Sequence, residues 1–378
     1  MYKRLIQSQI QDKFFQGKAI ILTGARQTGK TTLSLEIIKK IGSKKPVLIF
    51  NCDNPADREL LSNKNLDFLK KVIGQAEIIF IDEGQKVETI GQTLKLLVDY
   101  YKKEKQILVT GSSSFNLLSK TQEALTGRKY VFHLFGLSLE EIYSKNNLLA
   151  VSKELEDFLI FGNYPEVVNK ESFEEKKEVI RELASSSLYR DILEFQQVKN
   201  ASIIADLLKA LALQIGNEVS YTELANLLGI DKNTVEKYVD LLEKSYIIFR
   251  LPPYATNKRK EISKLRKIYF YDLGIRNAVI NNFNFLKERT DAGQLWENFI
   301  LVERMKFQNY HKIYANNYFW RTYNGVEIDL VEEREGKLFG YEFKWNIKRK
   351  NKIPELWKKY PQSSYEVITP QEISGFIL

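Results

Sequence analysis

The chain opens its chemistry at Gly24-Ala25-Arg26-Gln27-Thr28-Gly29-Lys30-Thr31, a complete GxxxxGK[ST] spacing followed by Thr32. The apolar run Ala19-Ile20-Ile21-Leu22 precedes it, and residues with helical spacing follow from Thr31. A strand entering a glycine-rich turn and then a helix N-terminus aims several backbone N–H groups at one point, where the helix dipole adds positive potential. Lys30 can reach the β- and γ-phosphates of a nucleotide, and the Thr31 hydroxyl can bind Mg²⁺. The pattern predicts a nucleoside triphosphate site, with ATP and Mg²⁺ as its ligands.

Downstream, Ile78-Ile79-Phe80-Ile81-Asp82-Glu83 reads as a buried strand ending in two carboxylates. Asp82 is expected to hold the metal, and Glu83 to act as base for the water that attacks the γ-phosphate. The next strand ends in Thr110-Gly111-Ser112-Ser113-Ser114, where Thr110, then Ser112, could orient that water. Arg128, before a further strand, could neutralise phosphate charge from its own subunit or from a neighbour, or could form an ordinary surface ion pair.

A second constellation lies near the C-terminus. Val326–Val331 alternates as a strand, a charged turn follows, and Leu338–Trp345 returns as another strand. Strand period two puts Glu342 and Lys344 on one face, with Asp329 on the neighbouring strand. Such carboxylates with an ammonium can bind a divalent cation and activate water. Glu297, on the preceding helix, could supply a third oxygen ligand. A solvated hairpin with cross-strand ion pairs would carry the same letters.

The elements that must position these groups follow from periodicity. Residues 1–137 alternate short apolar strands (Ala19–Thr23, Pro46–Asn51, Ile78–Asp82, Gln106–Thr110, Tyr130–Phe135) with helices, the α/β pattern of a parallel sheet. Residues 138–216 read as helical, broken by a turn at Phe161-Gly162-Asn163-Tyr164-Pro165. Residues 217–264 outline a winged helix, with helices Tyr221–Leu228 and Asp231–Lys244 and a basic stretch, Asn257–Lys267. Residues 265–378 mix strands and helices as an α+β domain.

Bulk properties bound the rest. The chain has 378 residues, 44% of them hydrophobic and 28% charged, enough for two or three cores in a globular protein. No apolar stretch reaches a membrane span, the start lacks a secretion signal, and the single Cys52 can form no internal disulfide, so a cytoplasmic protein is expected. From residue 255 onward 22 Lys/Arg face 15 Asp/Glu, which supplies +7 of the net +9. That asymmetry suits DNA as a partner, helped by Lys348-Arg349-Lys350-Asn351-Lys352 and Lys358-Lys359; Lys-rich surfaces also serve solubility alone. Against DNA, the second winged-helix helix carries Lys232, Lys237 and Lys244 beside Asp231, Glu236, Asp240 and Glu243, a net acidic set.

Gly24–Thr31, Asp82-Glu83-Gly84-Gln85, Thr110-Gly111-Ser112-Ser113 and Gly127-Arg128 together resemble the AAA-type ATPases of archaea and bacteria that carry a C-terminal domain of unknown function. Further matches follow in order: Leu137–Glu141, Gly162–Glu166, Tyr189–Asp191, Tyr269–Gly274 and Gly293–Asn298. Asn163 and Gly136 depart from the family pattern without touching the phosphate site. The resemblance implies an ATPase core, a winged-helix segment and a PD-(D/E)XK nuclease-like C-terminal fold in which Glu297, Asp329, Glu342 and Lys344 take the acidic and lysine positions. The expected function is Mg²⁺-dependent ATP hydrolysis coupled to action on DNA, with a homo-oligomer as one arrangement. The rival expectations are a regulatory ATPase whose C-terminal fold is a protein-binding scaffold, and an ATP-gated DNA-binding regulator.

Overall fold

The computed structural model describes residues 2–42, 45–112, 117, 118, 121, 123–143, 148–193, 201–255, 266–346 and 353–377. The chain divides into two units, Met1–Leu137 with Lys244–Tyr246, and Ser138–Glu243 with Ile247–Leu378.

The first unit is built on strands β1 (Ala19–Thr23), β2 (Val47–Asn51), β3 (Ile78–Asp82), β4 (Gln106–Gly111) and β5 (Lys129–His133). They form one parallel sheet in the order β2-β3-β4-β1-β5. The three central strands are buried almost throughout while the edge strands β2 and β5 are half exposed. Burial on both faces explains why the central strands read as continuous apolar runs rather than alternating ones. The short helix α1 (Ile6–Gln11) and the 12-residue helix α2 (Lys30–Ile41) flank β1 in sequence. The sheet is α/β as expected, each strand matching its predicted span to within about two residues.

Register decides function here. Thr23 pairs with Gly111 on one side and His133 on the other, and Ile81 with Val109. The C-terminal ends of β1, β3, β4 and β5 therefore align, and the phosphate loop, Asp82 and Thr110 share that edge. Ala19 pairs with Lys129 at the opposite edge. In open parallel sheets ligands bind at the carboxyl ends of the strands, where the strand order reverses.

The second unit begins with helices, including Leu148–Phe161, Phe173–Leu193 and Ala201–Leu213. Its first sheet has the order β6-β8-β7 and is antiparallel, formed by β6 (Glu218–Val219), β7 (Ile248–Leu251) and β8 (Arg266–Phe270). Helices Tyr221–Leu228 and Lys232–Lys244 lie between β6 and β7 in sequence. The second sheet, β12-β11-β10-β9, comprises β9 (Asn316–Arg321), β10 (Glu327–Arg334), β11 (Lys337–Phe343) and β12 (Ser363–Ile368). Its β11–β12 pair is parallel and the others antiparallel. This mixed sheet accompanies the 19-residue helix Ala292–Tyr310, whose Trp296 is fully buried.

The Phe161–Pro165 break is a docking turn. Gly162 has φ +76°, and a Cβ there would collide with the Asp272 carboxylate. That carboxylate accepts the N–H groups of Asn163 at 2.7 Å and Ile275 at 3.2 Å. Two motifs a hundred residues apart are thus one structural joint.

Candidate functional sites

The phosphate loop takes its shape from backbone constraints. Gly24 has φ +151°, and a side chain there would strike the Leu134 carbonyl oxygen. Gly29, with φ +92°, precedes the first turn of α2, so both glycines hold conformations that other residues resist. Thr28 closes the loop by donating to the Ala25 carbonyl at 2.9 Å. Arg4, buried beneath the loop, donates to the carbonyls of Thr28 at 2.9 Å and Phe135 at 2.7 Å. Nothing in the local sequence pattern announces Arg4, because its partners lie 24 and 131 positions away.

Lys30 Nζ donates to the Gly24 and Ala25 carbonyls at 3.0 and 2.7 Å. Thr31 donates to both oxygens of Asp82, at 3.0 and 2.9 Å, and Thr110 also donates to Asp82. The Glu83 N–H reaches the Thr110 hydroxyl at 3.3 Å. Glu83 itself sits at φ +53°, a left-handed conformation costing about 1 kcal/mol or more that concentrates at functional sites. Arg26 and Gln27 form the loop's turn, Gln27 at φ +58°, and Thr32 lies on the first turn of α2. A hydroxyl and a carboxylate in contact, both hard oxygen donors, fit Mg²⁺. Around them His133 meets Phe135 edge-on and Tyr246 at a tilt, and burial together with the Lys30 charge pushes its pKa down to about 3. It adds no positive charge to the site at neutral pH. Tyr246 donates to the Thr23 hydroxyl at 2.9 Å.

At Arg128 the alternative that forms is the ordinary ion pair. Arg128 is not brought to the phosphate loop of its own chain: its carbonyl accepts from Ala19 N–H at the opposite edge of the sheet. Its side chain pairs with Asp99 at 2.5 Å, both partly exposed. The strand order is the cause, since a residue just before a parallel strand lies at the far end from the loops that follow the strands. Ser113 and Ser114 lie outside the described residues.

At the C-terminal site the expected hairpin forms. Leu330 pairs with Tyr341, and the Phe343 N–H donates to Asp329 at 2.7 Å. A register shift between Ile328 and Val331 on β10, where Asp329 sits, interrupts the β9 pairing; such irregularities re-aim side chains. Glu342 pairs with Lys344 at 2.5 Å, and its other oxygen is buried without a hydrogen-bond partner among the described residues. Burial drives the Asp329 carboxyl well above its usual range, with the charges of Glu297 and Glu342 adding to the rise; burial likewise raises Glu342.

Glu297 faces the same cluster, since its charge acts on both Asp329 and Glu342, but its own partners are a cation and a phenol. It accepts from Lys267 at 3.0 Å and from the Tyr269 hydroxyl at 2.5 Å, while Lys267 also pairs with Glu327. The Lys267 side chain is only 4% exposed. Burial works against its charge, but Glu297, Asp329 and Glu327 outweigh burial and raise its pKa. Among the described residues, no group of three or more His, Cys, Asp or Glu is placed to hold a metal ion. Within the expected Glu297–Asp329–Glu342 set, Glu297 is thus already ion-paired with a cation of the chain itself. Lys267, Tyr269 and Glu327 were missed from sequence. The alternation of Lys267 and Tyr269 along β8 was the available signal, but nothing local linked that strand to Glu297.

The DNA-facing features also shift. Asp240 and Glu243 are both taken by Arg250, which leaves Lys232, Asn233, Glu236 and Lys237 exposed along helix Lys232–Lys244. The helix is therefore less acidic outward than its composition implies. Lys258, Arg259, Lys260 and Lys264, and the run Lys348–Lys352, lie outside the described residues. Lys358 pairs with Glu355 at 2.7 Å. Among the described residues no helix is long and apolar enough to cross a membrane.

Residues 16–143 match a family model described as an AAA domain. Residues 152–285 and 292–372 match two models described as domains of unknown function, DUF8612 and DUF4143. An uncharacterized protein of Mycobacterium tuberculosis is 27% identical over 339 residues, covering 89% of this chain and 72% of the relative. An uncharacterized protein of Methanocaldococcus jannaschii is 27% identical over 356 residues, covering 88% and 76%. Among solved structures, a RuvB mutant of Thermotoga maritima aligns with TM-score 0.34 and 13% identity over 70% of this chain and 95% of that one.

Proposed function

We propose that this protein is a Mg²⁺-dependent ATPase that acts on DNA. The observation that carries the reading is the convergence of Lys30, Thr31, Asp82 and Glu83 on one edge of the parallel sheet. Loop amides and Lys30 would hold the β- and γ-phosphates, with the Lys30 ammonium leaving the Gly24 and Ala25 carbonyls for phosphate oxygens. Thr31 and Asp82 would hold Mg²⁺, which supplies charge neutralisation on those oxygens. Glu83 would accept the proton of the water that attacks the γ-phosphorus, ADP being the leaving group. Arg128, at the far edge from its own loop and paired with Asp99, stands as an ordinary surface ion pair, and completing the site of a neighbouring subunit is the one phosphate role still open to it.

DNA as partner is supported by the positive charge of the last third and by the order of β6, two helices, β7 and β8, which is that of a winged helix. The capture of Asp240 and Glu243 by Arg250 removes part of the charge objection. A second reading, in which the C-terminal fold is a non-catalytic scaffold, is favoured by one observation: Lys267 occupies Glu297, one of the carboxylates that a metal would need. Asp329, Glu342 and Lys344 as a cleaving centre is the weaker fit to this geometry.

The test is ATP turnover and nucleotide binding, with plasmid and linear DNA incubated with Mg²⁺ or Mn²⁺, with and without ATP. ATPase activity with salt-sensitive DNA binding supports the reading. Cleavage lost in Asp329→Ala and Glu342→Ala would instead establish the nuclease. Absence of any ATP binding heat would overturn the proposal.

A further inference from the structure

None of the phosphate-handling steps uses Gln85, although it closes the Asp82–Gln85 tetrapeptide. It stands on the single turn Gly84–Lys86 directly after Glu83 and is 3% exposed. Its Nε2 lies 2.5 Å from Glu83 Oε2 and 3.0 Å from the Ser112 hydroxyl. Ser112, fully buried just beyond β4, in turn lies 3.1 Å from the same Glu83 oxygen. Three side chains from two strand ends thus form a closed triangle, with two donors converging on one oxygen of the carboxylate.

A glutamate carries three rotatable bonds, and a base must meet its proton within hydrogen-bond reach. Fixing the carboxylate beforehand removes that orientational cost from the barrier. Glu83 is already turned out of the strand by its left-handed backbone, so the remaining freedom is in its side chain. The triangle consumes that freedom.

We propose that Gln85 is a positioning residue for ATP hydrolysis, its amide clamping the Glu83 carboxylate against Ser112. The proposal rests on Glu83 being the base. Gln85 acts through Glu83: the two oxygens its Nε2 faces belong to residues directly after β3 and β4. Gln85→Glu would set a second carboxylate against the first in the same volume, and Ser112→Thr would keep the hydroxyl that Ser112→Ala removes.

The experiment is steady-state ATPase kinetics with ATP binding by calorimetry on the full chain and its Gln85→Ala, Gln85→Glu, Glu83→Gln and Glu83→Gln/Gln85→Ala variants. A clamp predicts kcat down about 10-fold or more in both Gln85 variants, with ATP Kd and KM within about twofold. It also predicts that the double variant is no slower than Glu83→Gln, because residues acting as a unit are not additive. Ser112→Ala should lose activity that Ser112→Thr retains. Unchanged kcat in both Gln85 variants, a parallel loss of ATP affinity, or a further loss in the double variant would overturn the clamp. Glu83→Gln turning over at the parental rate would remove Glu83 as base, and the clamp with it. Glu83→Gln inactive with Gln85→Ala intact would sink the clamp alone.

Discussion

The phosphate loop and the C-terminal cluster both gather lysine and carboxylate groups at strand ends, yet they handle charge in opposite ways. At the loop, Lys30 donates to backbone carbonyls, and Asp82 accepts from hydroxyls. Each can exchange a neutral partner for a charged ligand. In the cluster, Lys267 is locked between Glu297 and Glu327, and Lys344 sits on Glu342. There a ligand would have to break existing ion pairs, those of Lys267 already desolvated. One site offers neutral partners that a charged ligand could replace, and the other supplies its own counterions.

The largest effect that could break this contrast is at the loop. Lys30→Ala should weaken ATP binding about 100-fold or more, through loss of charge-assisted hydrogen bonds worth about 1.5–3 kcal/mol each. Calorimetric titration measures this, and unchanged affinity would mean that the loop lysine does not touch phosphate. Glu83→Gln should keep that affinity while turnover falls by about two orders of magnitude, as read by phosphate release.

Next comes the cluster. Lys267→Met should leave Glu297 and Glu327 uncompensated and destabilise the second unit by about 3 kcal/mol, the cost of breaking a buried pair on one side. All four tryptophans (Trp296, Trp320, Trp345 and Trp357) lie in that unit, so intrinsic fluorescence during urea unfolding reports on it. ATP affinity should not move. A variant of parental stability would show the ion pairs to be solvated and would restore the cluster as a candidate metal site.

A smaller effect has the opposite sign. Asp329 has a folded pKa raised above its unfolded value, so the stability linked to it is complete at acid pH and is lost as pH rises through the folded value. Asp329→Asn removes this penalty, with each pKa unit relieved worth about 1.4 kcal/mol. The fluorescence melting temperature should therefore rise by a few degrees at pH 8 and stay unchanged near pH 4. Smallest is Arg128→Ala, whose partly exposed pair with Asp99 is worth about 0–1 kcal/mol. Its turnover should drop only if a neighbouring subunit uses the guanidinium, seen as specific activity that no longer rises with protein concentration.

The two sites were not equally legible. The loop is local: eight consecutive residues between a strand and a helix carry most of its geometry, and Asp82-Glu83 announces itself as carboxylates ending an apolar run. The hairpin pairing Asp329 with Glu342 was readable for the same reason, because strand period and a short turn settle it. Lys267 and Tyr269 were not, since they reach Glu297 from a separate strand about thirty positions away. Sequence left Arg128 between a phosphate role and a surface ion pair, because strand order, not sequence neighbourhood, decides which edge of a parallel sheet it occupies.

The sequence by itself determined the elements and the chemistry each could offer, because period, glycine placement and neighbouring side chains act within one helix or strand. Only the tertiary structure decided which charges meet. Whether a carboxylate ends beside a hydroxyl, an amide or a buried ammonium depends on register and on contacts across long sequence separations, and those are set by packing of the whole unit rather than by any local pattern.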